Sequence, residues 1–268
     1  MLPTMNPELF AWNPRPYVFR GKMRRLIPLR RRTRLNNFGD LLGPIVVKHM
    51  LTSRGLVAGP ETSEKKLLSV GSVMHFASDG DVIWGTGVNG KIPASAHRYN
   101  RLDIRAVRGP LTREYLARRG IRSPEIYGDP GLLVPEVYPH LKLLAGEARS
   151  GVVVVPNLND WATYAGLPEV VDPRSPLMSV LERIARAEFV VGSSLHGVVV
   201  AESLGIPARL IVSASESPFK YLDYYRGSGR AEYRPAGNLK EAMSLGGEPA
   251  IAVDFDSLKG AFPYDYWK

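Results

Sequence analysis

The densest chemistry in this 268-residue chain lies in Val190-Val191-Gly192-Ser193-Ser194-Leu195-His196-Gly197. An apolar run of strand type ends in Gly-Ser-Ser, and His196 falls in the first turn of the helix that follows. The hydroxyls of Ser193 and Ser194, free backbone N–H groups and a titratable imidazole then suit one anionic ligand. A structural histidine beside a helix cap is the plainer reading of the same residues. Arg108, in Ala106-Val107-Arg108-Gly109-Pro110, repeats the theme between a strand end and a helix start, where a guanidinium and helix N–H groups hold an anion together. A surface arginine capping nothing fits it as well. Lys220-Tyr221-Leu222-Asp223-Tyr224-Tyr225, followed by Gly227-Ser228-Gly229-Arg230, offers cations, a carboxylate and aromatic faces of the kind that hold a sugar. It is equally a polar loop with buried tyrosines.

Three further turns sit at predicted strand or helix ends, where open α/β sheets collect ligands. Asn36-Asn37-Phe38-Gly39-Asp40 precedes a helical stretch at 41–51 and reads as a cap or as a ligand loop. Trp84-Gly85-Thr86-Gly87-Val88-Asn89-Gly90 has the letters of a dinucleotide fingerprint, but Pro93 and the polar residues after it open no helix at the third glycine. It stays a ligand-facing or merely flexible loop. Tyr127-Gly128-Asp129-Pro130-Gly131 reads as a tight turn. The five histidines, at 49, 75, 97, 140 and 196, show no metal-ligand pairing, and Ser194 lacks the G-x-S-x-G elbow of an acyl-transfer nucleophile.

Elements able to position these turns alternate along the chain. Strands are expected at 67–70, 81–84, 103–107, 151–155, 189–191 and 208–212, and helices at 110–119, 176–187 and 195–204. Pro110 suits a first helical turn and Gly120 a stop. Alternating strands and helices predict an α/β fold with parallel sheets. The stretch 136–150 lacks strand signals and precedes a fresh strand, so a boundary is expected there, with two Rossmann-like halves, 1–138 and 139–268, facing a cleft. The residues 254–268 are candidates to return across the first half.

Composition sets the outer limits. Hydrophobic residues make up 44% and charged residues 23%, as in globular proteins, and there is no Cys, which removes disulfides and thiolate metal sites. Without a long apolar run or a signal-peptide core in the first thirty residues, a cytoplasmic protein is expected. The net charge of +9 is local. Nine of the 35 basic residues lie at 15–34 with no acidic residue among them, and the remaining 26 balance the 26 acidic ones. Val18, Phe19, Met23, Leu26, Ile27 and Leu29 interrupt those charges. Such a segment suits an anionic membrane surface, or is a solvated loop. A neutral remainder speaks against nucleic acid.

Taken together, the blocks 71–76, 84–93, 105–112, 127–133, 193–205 and 220–230 resemble, in order, those of the polysaccharide pyruvyl transferases, most nearly the ketal-forming ones of xanthan biosynthesis. The resemblance runs from about Asn36 to the terminal Tyr264-Asp265-Tyr266-Trp267. It implies a GT-B-like fold, with an acceptor-side first half and a donor-side second half. It implies a bacterial transferase of exopolysaccharide assembly that moves a pyruvyl group from phosphoenolpyruvate onto two hydroxyls of a sugar. A cyclic ketal forms and phosphate leaves, with no cofactor and no required metal. It carries a functional role onto His196 and onto Asp223, and the chemistry asks for a hydroxyl base, for which Asp40 or Asp223 is the candidate, so His196, Asp40 and Asp223 are the expected catalytic residues. Substrate contacts are expected from Arg108, Ser193, Ser194, Lys220, Tyr224, Arg230, Asn37, Gly85, Thr86 and Asn89. Many relatives carry Arg-Leu-His where this chain has Ser194-Leu195-His196, which leaves Arg108, Lys220 or Arg230 to supply that charge. The implied acceptor is a lipid-linked oligosaccharide at the inner face of the cytoplasmic membrane, where 15–34 meets anionic lipid. A GT-B glycosyltransferase using a nucleotide sugar is the alternative.

Overall fold

Two small parallel sheets carry the molecule, and the computed structural model describes residues 6–18, 23, 27 and 29–268. In the first sheet, Glu8–Leu9 (β1), Lys66–Leu68 (β2), Val82–Trp84 (β3) and Asp103–Ala106 (β4) lie in the order β1-β2-β3-β4. The register pairs Leu67 with Val82 and Ile83 with Ile104, and slips between Ile83 and Trp84. The second sheet holds Val152–Val154 (β5), Phe189–Gly192 (β6) and Ala208–Leu210 (β7), in chain order. Val153, Val154, Val190 and Val191 are buried. A β-branched run without polar alternation folds this way because helices or loops cover both faces.

Phe38–Thr52 (α1) links β1 to β2 and begins three residues before the apolar periodicity does. Pro110–Ala117 (α2) starts on its proline, and Gly120, at φ +74°, turns the chain after it. Val134–Val137 (α3) and Pro139–Gly146 (α4) fill the stretch before β5, where sequence periodicity is silent. Beyond β5 come Trp161–Tyr164 (α5) and Leu177–Ala185 (α6), the latter burying Val180, Leu181, Ile184 and Ala185 along one stripe. Leu195–Ser203 (α7) joins β6 to β7. The tyrosine-rich segment is a helix, Phe219–Gly227 (α8), not a loop, with Tyr221, Tyr224 and Tyr225 buried. Leu239–Leu245 (α9) and Phe255–Gly260 (α10) are the last α-helices among the described residues, and a 3-10 turn follows at Tyr264–Trp267.

The buried cluster under the second sheet extends into the first half of the chain, while separate clusters pack on the first sheet. Phe38, Leu42, Val70 and Leu132 pack in the same buried cluster as Val190, Leu195, Val198 and Tyr221. The terminal residues return to the first sheet: Trp84 Nε1 donates to the Leu258 carbonyl at 2.8 Å, and its ring meets Phe262 edge-on at 4.9 Å. Arg105 donates to both carboxylate oxygens of Asp265 at 2.9 and 2.8 Å. Among the described residues no helix is long and apolar enough to cross a membrane.

Of the basic segment, Arg20, Lys22, Arg24 and Arg25 lie outside the described residues. Its two arms run antiparallel, joined by Val18 N–H to Leu29 O at 2.8 Å and Arg31 N–H to Pro16 O at 2.7 Å. Arg15, Arg30, Arg31, Arg32 and Arg34 are exposed, and so are Val18, Met23, Ile27 and Leu29.

Candidate active site

The carboxyl ends of both sheets open onto one cleft of about 310 Å³. Parallel strands direct their following loops to the same edge, and six such loops, three from each sheet, meet at this cleft. Residues from both sequence halves line it, among them Asn37, Asp40, Asn89 and Lys91 from the first and His196, Glu216 and Lys220 from the second.

Two helix N-termini converge there. Ser194 caps α7, its hydroxyl accepting from Gly197 N–H at 3.2 Å, and His196 stands in the first turn. Asn37 precedes α1 and its side-chain amide donates to Asp40 Oδ2 at 2.6 Å, so Asn37 anchors the carboxyl of the first turn instead of capping the backbone. The His196 side chain packs against Gly39, where a methyl group would stand 2.2 Å from Nδ1. Only glycine leaves room for the imidazole at this point of α1.

Burial, reinforced by the Lys220 and Arg108 charges, holds His196 down at about 3, so the imidazole is neutral at physiological pH. Its Nε2 lies 3.9 Å from Asp129 Oδ2, and among the described residues both atoms are buried without a hydrogen bond. Asp129 is fully buried, with Oδ1 accepting from Gly131 N–H at 2.9 Å, and burial pushes its carboxyl up to about 6. Burial also raises Asp40 to about 6, against the Asn37 hydrogen bond and the Lys220 charge. Two carboxyls raised to about 6 flank an imidazole whose resting form is neutral, so the carboxyls can give or hold a proton and the ring offers a free lone pair.

Cations stand across the cleft. Lys220 Nζ lies 3.0 Å from Glu216 Oε2, and Lys91 Nζ lies 2.6 Å from Oε1. Behind Glu216, Asn157 donates to Asp160 and to the hydroxyls of Ser193 and Ser213, fixing the loops that follow β5, β6 and β7.

Several residues expected at the site lie elsewhere. Arg108 and Asp223 are fully buried against each other, with Arg108 Nε and Nη2 at 3.0 and 2.9 Å from Asp223 Oδ2. Asp223 also accepts from Thr112 N–H and Oγ1 at 2.9 and 2.7 Å, and it does not line the cleft. The pair therefore ties α2 to α8, and only Arg108 Nη1, donating to Ser72 Oγ at 2.6 Å, reaches the cleft wall. Tyr224 and Arg230 bind Glu202 instead of facing the cleft, the phenol donating at 2.6 Å and the guanidinium forming an ion pair. Ser193 is enclosed, its hydroxyl accepting from Asn157. In the 84–90 loop, Gly85 faces Pro130, Gly87 the Arg108 guanidinium and Gly90 Phe219, so the glycines make room for protein and not for a ligand. Thr86 is buried and donates to Gly71 O at 2.7 Å. Asn89 alone of that loop's expected contacts lines the cleft, and its Oδ1 is buried without a hydrogen bond among the described residues.

His196, Asp40, Ser194, Lys220, Asn37 and Asn89 are thus brought together. Lys91, Glu216, Asn157 and Asp129 complete the surroundings although sequence reasoning passed over them. The strand-end rule that singled out Ser193 applies equally to Asn157 after β5 and to Glu216 after β7. Asp129 carried no signal beyond its turn.

The profile of the polysaccharide pyruvyl transferase family matches residues 37–215, which include the α1 N-terminus, the 84–90 loop and His196. The chain belongs to the polysaccharide pyruvyl transferase family. It is 31% identical over 216 residues to the succinoglycan biosynthesis protein ExoV of Rhizobium meliloti (strain 1021), an alignment covering 74% of this chain and 63% of that protein. The chain therefore spans less than two thirds of that relative's length. A crystal structure of a functionally uncharacterized protein from Klebsiella pneumoniae subsp. pneumoniae NTUH-K2044 aligns with 75% of this chain and 87% of its own, at a TM-score of 0.43 and 12% identity.

Proposed function

We infer that this protein transfers the pyruvyl group of phosphoenolpyruvate to two hydroxyls of one sugar in an exopolysaccharide repeat unit, giving a cyclic ketal and free phosphate. The observation that carries this reading is the convergence of two helix N-termini, Lys220 and a neutral His196 on one cleft, in a chain of this family. Helix N-termini and an ammonium group suit a donor bearing carboxylate and phosphate.

The reaction needs a proton on the methylene carbon and two hydroxyls attacking C2 in turn. Protonation of the enol ether develops positive charge at C2, and the first hydroxyl adds there. Phosphate then leaves with its bonding electron pair, and the second hydroxyl closes the ring. One hydroxyl proton replaces the one delivered to carbon, and the other departs with phosphate. In this reading His196 accepts a hydroxyl proton, Asp40 in its protonated form supplies the acid, and Lys220 steadies the leaving phosphate. Asn89 Oδ1 receives a sugar hydroxyl. Arg108 and Asp223 act from behind, as the frame of α2 and α8.

The two sheets are read as the halves of a GT-B-like pair, 1–138 on the acceptor side and 139–268 on the donor side. The acceptor is read as lipid-linked, with the enzyme peripheral at the inner face of the cytoplasmic membrane. Exposed arginines beside exposed Val18, Met23, Ile27 and Leu29 support that placement, each charge contributing about 1 kcal/mol near anionic lipid.

Phosphoenolpyruvate and a membrane extract holding lipid-linked oligosaccharides provide the test. Phosphate release with an acceptor gaining the mass of a pyruvate ketal is expected, and His196→Ala abolishes both. Full turnover by His196→Ala removes the histidine from the mechanism. No turnover together with tight nucleotide-sugar binding overturns the reading itself.

A further inference from the structure

Glu216 holds two ammonium groups at once, one from each half of the sequence. Lys91 comes from the loop that follows β3, whereas Glu216 and Lys220 follow β7. Their separation in sequence, 125 residues between Lys91 and Glu216, contrasts with contacts of 2.6 and 3.0 Å at the cleft. Asn159 adds a third donor to Glu216, its amide reaching Oε1 at 2.8 Å. The Glu216 and Lys220 side chains are 5% and 12% exposed, while that of Lys91 is 37% exposed and open to the cleft.

Two ammonium groups meet one carboxylate at this point. Among the described residues Asp40, raised to about 6 by burial, is the other carboxyl lining the cleft, and burial lowers the imidazoles His75 and His196. Once Asp40 carries a proton, as the acid of the proposed reaction, one positive charge here lacks a partner. Lys91 itself acts on His75, and Lys220 on Asp40 and His196, so both charges are felt across the cavity. An ammonium group has three N–H donors, and Glu216 engages only part of them. The two lysines are spaced to bind the two oxygens of one carboxylate, a spacing that two oxygens of a phosphate also present. Lysine serves phosphate well as a point charge.

We propose that Lys91 is a phosphate ligand, delivered across the cleft to join Lys220 on the phosphate of the donor, and that Glu216 is the positioning residue that sets both ammonium groups in place. This rests on the reading of the donor as phosphoenolpyruvate, and it extends that reading to a cation supplied by the first half of the chain. Glu216 then competes with the phosphate for the lysines while orienting them. A purely structural clasp between the halves has a different signature: losing either partner would do the same harm.

Opposite-sign substitutions separate the two. Inorganic phosphate binding to the full chain, measured by calorimetry, is expected to weaken about tenfold or more in Lys91→Met, since one charge-assisted contact is lost. In Glu216→Gln, which keeps both lysines and removes the competing charge, phosphate binding is expected to tighten. The KM for phosphoenolpyruvate should rise in Lys91→Met while the acceptor KM holds, and Lys91→Arg should recover part of the loss. Unchanged phosphate affinity in a folded Lys91→Met overturns the proposal, as does equal weakening in Lys91→Met and Glu216→Gln. Weakened phosphate binding in Lys91→Met, with no turnover of phosphoenolpyruvate by the wild type, supports the phosphate site and overturns the choice of donor instead.

Discussion

Arg108 and Asp223 are the residues where a ligand role and a framework role predict opposite results. Both side chains are fully buried, and Asp223 receives Arg108 Nε and Nη2 together with the Thr112 backbone N–H and hydroxyl. Asp223→Leu strands the guanidinium charge in the interior and leaves the Thr112 N–H without its acceptor. Removing one partner of a buried pair costs about 3–5 kcal/mol. At roughly 2–4 °C per kcal/mol for a chain of this size, Tm should fall by about 10 °C. Arg108→Met should do comparable damage. Because the two losses share one interaction, Arg108→Met/Asp223→Leu should fall well short of their sum, recovering at least about 2 kcal/mol of coupling. Melting followed by circular dichroism, with urea midpoints as a second measure, reads this directly. Asp223→Asn supplies the contrast, since as a hydroxyl base it would lose turnover at an unchanged Tm. Asp223→Leu melting within about 2 °C of the wild type would refute the framework role.

Two further perturbations address the imidazole and its neighbours. Gly39→Ala places a methyl group 2.2 Å from His196 Nδ1 and must move the ring, so turnover should drop about a hundredfold with the far-ultraviolet spectrum intact. Normal turnover would show that the ring position does not matter. Asp129, raised from 3.8 to about 6, binds its proton more tightly folded than unfolded. Its contribution to stability is therefore full below pH 3.8 and is lost as pH rises through 6. Asp129→Asn should accordingly gain stability over the wild type at pH 7.5, by up to about 3 kcal/mol, with the gain shrinking toward pH 4. Tm measured from pH 4 to 7.5 checks the slope, and parallel curves for the two proteins would contradict it.

The parallel α/β character was legible because its signals are local. The valine run at 152–154 and the stripe of Val180, Leu181 and Ile184 each follow from side-chain periodicity over a few residues. Helix α8 was not legible, because its tyrosines and charges carry a weak apolar stripe, and their burial depends on Glu202 and Ser193 elsewhere in the chain. The same cause misled the choice of ligands. A buried Arg108 and an open one have the same letters, and only the passage of α8 against the 108–109 backbone separates them.

By itself the sequence determined that strand ends carry Ser194 and His196, that Asn37 and Asp40 open a helix, and that the basic charge is confined to one segment. These are properties of short windows, fixed by backbone propensity and by composition. The tertiary structure alone decided that the N-termini of α1 and α7 share a cleft and that Asp129 lies behind His196. It also decided that Lys91 reaches Glu216 from the other half of the chain. Those are meetings between distant segments, set by which apolar faces pack together, and neither spacing nor residue type encodes them one window at a time.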